Sequence, residues 1–118
     1  MYRLLFALAA LELASCATRP YTASAPETRA AKETYSSCFE EKGARMASNK
    51  TDSAIALAQS VARQCQDKEE ALRWSLTQEN QGTPLPAVYV NNLVARIRQM
   101  NTEAAADAFM IARSATPR

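Results

Sequence analysis

The stretch Val90-Asn91-Asn92-Leu93-Val94-Ala95-Arg96-Ile97-Arg98-Gln99-Met100, continued by Asn101-Thr102-Glu103-Ala104-Ala105-Ala106-Asp107-Ala108-Phe109-Met110-Ile111, decides the fold class. Val90, Leu93, Val94, Ile97, Met100, Ala104, Ala108 and Ile111 recur at steps of three and four, the period of one face of an α-helix. Nothing in the stretch alternates with the period of two that a half-buried strand needs. A fourth helix is therefore expected from about Pro86 or Ala87 to Ala112, with Asn101-Thr102 as a point where it could divide. Tyr89, Phe109 and Met110 fall off the stripe. Arg96 and Arg98, two apart, do not face one another on a helix and read as solvated charges on its flanks.

Moving toward the N-terminus, Thr83-Pro84-Leu85-Pro86 after Gly82 is a stop signal, and a third helix is expected before it. Asp67-Lys68-Glu69-Glu70 resembles a capping box that would open that helix, running to about Asn80. Leu72 and Leu76 share its apolar face. Trp74 points away from them, either as a rim residue under a neighbouring loop or as an anchor for a partner. A second helix covers about Ser53 to Gln66, with Ala54, Ile55, Ala58, Val61, Ala62 and Cys65 inward and Thr51 or Asp52 as cap. A first helix runs from Pro26 or Glu27 to about Ala47, its stripe being Ala31, Tyr35, Cys38, Phe39 and Met46, with Gly43 as a weak point. The expected fold is all-α, a small bundle of about four helices.

Composition agrees. The chain has 118 residues, one small domain at most. Of its 47% apolar residues, 24 positions are alanine, so large core side chains are few. Basic residues number 14 against 12 acidic, well mixed, so nothing draws the chain to nucleic acid. With no histidine, the commonest general base and metal ligand are missing. No nucleophile elbow, zinc-protease or phosphate-loop motif occurs. No catalytic, cofactor-binding or metal-binding residue is expected, nor a small-molecule substrate, and the chain reads as a non-enzyme. Glu40-Glu41, Glu69-Glu70 and Asp107 have no spacing that marks an acid/base pair.

The first residues speak of location. Met1-Tyr2-Arg3 is a short basic segment, and Leu4 to Leu11 is an eight-residue apolar run. That run is much shorter than the ~18–20 residues a membrane-spanning helix requires. This is the layout of a secretory signal, and its end, Leu13-Ala14-Ser15-Cys16, resembles the lipobox of bacterial lipoproteins. The resemblance implies removal of residues 1–15 and attachment of acyl chains to Cys16, since two or three chains anchor a protein stably where one does not. Ala17, where an Asp often retains such proteins at the inner membrane, implies the periplasmic face of the outer membrane of a Gram-negative envelope. Two other readings stay open: cleavage after Ala17, giving a soluble periplasmic protein, and an apolar N-terminal helix of a cytosolic one.

If Cys16 carries lipid, Cys38 and Cys65 remain, and in an oxidising compartment they can pair. Folding the first two helices antiparallel brings Cys38 opposite residue 63 or so, within a turn of Cys65, which gives a disulfide-linked hairpin. The alternative is two reduced, buried cysteines acting as small hydrophobes. The expected organisation is thus 1–15 signal peptide, 16–26 lipidated cysteine and flexible tether, 27–113 helical domain and 114–118 frayed tail. The expected role is that of a small envelope lipoprotein, structural or binding a periplasmic or outer-membrane protein, or self-associating, through surplus apolar surface on the fourth helix. The alternative role is an inhibitor or immunity-type binder of a periplasmic lysozyme or toxin, for which the Gln81–Pro86 loop is the only candidate.

Overall fold

The computed structural model describes residues 25–82 and 86–115. Residues 1–24, which hold the expected signal peptide, Cys16 and most of the expected tether, lie outside them, as do 83–85 of the expected inhibitory loop and 116–118 of the expected tail. The described residues form four α-helices and no strand: α1 (Pro26–Met46), α2 (Ala54–Gln64), α3 (Gln66–Glu79) and α4 (Pro86–Ser114).

Local chemistry sets most of the ends. Pro26 opens α1, where its missing N–H costs nothing and its φ suits the first turn. After α1, Asn49 organises the turn: its Oδ1 accepts from the N–H groups of Thr51 and Asp52 at 3.0 and 3.1 Å. The N-cap of α2 is then Ser53, one position beyond the expected Thr51 or Asp52, its hydroxyl accepting from Ala56 N–H at 3.1 Å. Gly82, at φ 86°, follows α3 as the expected stop.

The expected capping box at Asp67 does not form. α2 and α3 are separated by Cys65 alone, which holds φ −101° and ψ 13° and serves both helices as cap. Its N–H donates to the Val61 carbonyl and its own carbonyl accepts from Glu69 N–H, both at 3.1 Å. Helical hydrogen bonding therefore runs through the joint, and Asp67 is left inside the first turn of α3, where its charge still favours the helix dipole.

Three rods result. Ala25 N–H donates to Glu79 Oε1 at 2.9 Å, and Cys38 meets Cys65, so α1 runs antiparallel to α3. Arg73 to Asn91, Arg98 to Glu69 and Arg113 to the Asp52 carbonyl set α4 antiparallel to the jointed α2–α3 rod. Ser36 donates to Asn101 Oδ1 at 3.3 Å, so α1 and α4 run side by side in the same direction. The disulfide consequently ties α1 to the joint between α2 and α3, not to the interior of α2.

The core is Tyr35, Cys38 and Phe39 of α1, Ala54, Leu57, Ala58 and Val61 of α2, Cys65, Leu72 and Leu76, and Val90, Val94, Ile97 and Phe109 of α4. Tyr35 and Phe39 meet edge to face with centroids 5.3 Å apart, a geometry worth about 0.5–1.5 kcal/mol beyond burial. On α2, Ile55 is exposed and Leu57 takes its place, because 54, 57, 58, 61 and 65 are the positions that share one face.

α4 is a single helix of 29 residues, unbroken at Asn101-Thr102, and Thr102 satisfies its hydroxyl on the Arg98 carbonyl. It continues to Ser114, whose hydroxyl donates back toward the Met110 and Ile111 carbonyls, so fraying does not begin there. Its first half buries the expected stripe. Its second half does not: Met100 and Ile111 are more than half exposed, and Ala104 and Ala108 are exposed too, while Asn101, Ala105 and Phe109 turn toward the bundle. The side chain that decides is Phe109, the bulkiest apolar group in that half, which lies over Gly43 of α1.

Candidate functional site

Two features stand out from the packing. The first is a polar cluster between α1, α3 and α4. Glu69, nearly buried, pairs with Arg98, whose side chain stays 46% exposed. Arg98 is thus more than a solvated charge, since it offsets a carboxylate removed from water. Beside the pair sits Tyr35, fully buried, whose hydroxyl makes no hydrogen bond. Burial first, then the Glu69 carboxylate, push its phenol up to about 12. The Arg98 and Arg73 guanidiniums oppose the shift by charge, though neither meets the phenol oxygen in hydrogen-bond geometry. The phenol is thus protonated at neutral pH, beside an ion pair that joins α3 to α4.

The second is a groove of about 460 Å³ between the second halves of α1 and α4. Its walls are small: Gly43, Ala44 and Ala47 on one side, Ala104, Ala105 and Ala108 on the other. Phe39 and Phe109 supply the aromatic surface. Its polar side chains are Ser36, Glu40 and Asn101. The Asn101 amide accepts from Ser36 on one side and leaves its Nδ2 buried without a partner on the other. The lining is mostly apolar. It can take up apolar side chains. Apolar surface left uncovered on α4 lies on the second half of the expected stripe, at Met100, Ala104, Ala108 and Ile111, of which Ala104 and Ala108 also line the groove.

Of the expected site residues, Cys38 and Cys65 are brought together, with Cα atoms 5.9 Å apart and a separation of 27 residues. Cys16 lies outside the described residues. Trp74 is 67% exposed, and residues 83–85 of the loop after α3 lie outside the described residues. The groove was missed by periodicity alone. Its signal was the run of alanines at 104–106 and 108 combined with a glycine inside α1, small residues that shape a concave wall. Among the described residues no group of histidine, cysteine and acidic side chains is arranged to hold a metal ion. No helix among them is long and apolar enough to cross a membrane. Comparison with protein-family models, curated proteins and solved structures finds no match for this chain.

Proposed function

We propose that this chain is a small lipoprotein of the bacterial envelope, attached through acyl chains on Cys16 at the periplasmic face of the outer membrane, and that its role is non-enzymatic binding of another envelope protein. The observation that carries the reading is the division of labour among three cysteines. Cys38 and Cys65 close on each other inside the core, leaving Cys16 as the third, at the end of Leu13-Ala14-Ser15-Cys16. A bridge of that kind suits an oxidising compartment, and an odd thiol behind an apolar leader suits acylation. The apolar groove between α1 and α4 supports the binding role, as a surface of small residues that accepts side chains from a partner helix.

The anchor is tested by labelling cells with a fatty-acid analogue and fractionating them. The wild-type chain takes up label and sediments with outer membranes, and Cys16→Ala does neither. A Cys16→Ala chain that remains membrane-bound sinks the anchor. The binding role is tested by placing a photocrosslinking residue at Ala108 in the lipidated protein. One discrete product, abolished by Ala104→Glu with helicity unchanged, is expected. A ladder of multiples of the chain's own mass means self-association, and the absence of any product at Ala108 removes the groove as an interface.

A further inference from the structure

Exposed apolar side chains occur at both ends of the bundle, and only one end is near the anchor. Met110 and Ile111 stand at the far end, where Arg113 reaches the Asp52 carbonyl. Trp74, at 67% exposure, and Val88, at 56%, stand at the other. There the Ala25 N–H donates to Glu79 Oε1, so the chain enters the bundle against the end of α3. Trp74 is five residues before Glu79, about 7.5 Å along the helix axis. Arg73, one position back, donates to Asn91 across the seam between α3 and α4 at 3.3 Å. Trp74 lies about 100° further round α3 from Arg73, on the outer side of that helix beside the seam. Val88, three residues before Asn91 and on the same face of α4, flanks it on the other side.

We infer that this seam, led by Trp74 and Val88, rests on the lipid surface that holds Cys16. The inference builds on the lipid anchor proposed above. Cys16 and Ala25 are nine peptide steps apart, which at full extension is at most ~32 Å. The 21 residues of α1 extend about as far again, ~31 Å. The entry end is thus always within reach of the bilayer, whereas standing the bundle on its far end would stretch the tether to its limit. Trp74 points away from Leu72 and Leu76 and has no part in the core, so folding does not require it. Its indole combines a large apolar face with one N–H donor, the combination that settles at the boundary between headgroups and acyl chains. Tethering raises the local concentration of lipid enough for one such side chain and a valine to set an orientation.

Trp74 is the only tryptophan in the chain, so its fluorescence reads the contact directly. The full lipidated protein is reconstituted into vesicles of phosphatidylethanolamine and phosphatidylglycerol, with and without brominated acyl chains. The expected result is a blue-shifted emission that the bromolipids quench. A second protein, carrying Trp74→Phe and Ile111→Trp, keeps the emission of a water-exposed indole and is not quenched. Flotation of the vesicles reports the anchor separately. Protein that floats with Trp74 unquenched overturns this contact and leaves the anchor standing. Equal quenching at 74 and 111 overturns the orientation, and protein that fails to float overturns both readings. Emission that shifts only in intact envelopes, with no bromolipid quenching in vesicles, means that a protein covers Trp74, and it overturns the lipid contact.

Discussion

On either side of the Cys38–Cys65 bridge the same three rods are packed differently. Toward the tether, Tyr35, Leu72, Leu76, Val90 and Val94 close against one another with almost no exposure, and Glu69 meets Arg98 at the edge of that layer. Beyond the bridge α2 still buries Leu57 and Val61 against α4, but α1 and α4 face each other largely through alanine and glycine, with Phe109 between them, and a groove remains. A bundle of this size has few large apolar side chains. Where they line a helix face the helices seal, and where α1 and α4 meet through small residues they leave a concave surface.

The largest test of that contrast cuts the bridge between the two regions. Replacing both Cys38 and Cys65 with alanine releases a 27-residue loop, and the chain-entropy relation puts the loss at about 3.5 kcal/mol. Thermal unfolding followed by circular dichroism should fall by roughly 15–25 °C, and reductant should reproduce the effect in the wild-type chain. Next in size is Phe109→Ala, expected to cost about 3 kcal/mol as a core truncation, against less than about 0.5 for Ile111→Ala. Chemical denaturation of the two variants decides which face of α4 packs, and an inverted order breaks the comparison.

The pH dependence is smaller and belongs to the sealed region. Because the folded state holds the Tyr35 phenol protonated up to about 12, its contribution is complete below pH 10. It is lost as pH rises from 10 toward 12, by an amount on the order of 2 kcal/mol. Tyr35→Phe should remove that part of the alkaline loss, and urea titrations of both proteins across the window measure the difference. Smallest is Gly43→Ala. A Cβ there meets Phe109 Cζ at 3.9 Å, ordinary contact, so the gain in helix propensity of about 0.5–1 kcal/mol should appear as a higher melting temperature and a narrower groove.

What could be read in advance divides along the same line. The stripes of α1 and of the first half of α4 are made of Tyr35, Phe39, Val90, Val94 and Ile97, side chains that lose most by exposure, so periodicity finds their inward face. After Ile97 the candidates are alanines, and burying an alanine on one face or its neighbour differs little in energy. Either continuation satisfies the spacing, through Met100, Ala104 and Ala108 or through Asn101, Ala105 and Phe109. A tertiary contact, Phe109 over Gly43, selects between them, and no local pattern carries that information. The joint at Cys65 was hidden for a related reason: it contains neither proline nor glycine, and the Asp67 box looked like a start only because the helix was expected to stop.

Cys65 is completely enclosed in the finished bundle and Cys38 nearly so. Sulfurs so enclosed exchange with thiols in solution mainly when the bundle opens. The lifetime of the bond in reductant therefore follows the opening of the very helices it helps to hold, and heating in reductant cuts it as the chain unfolds.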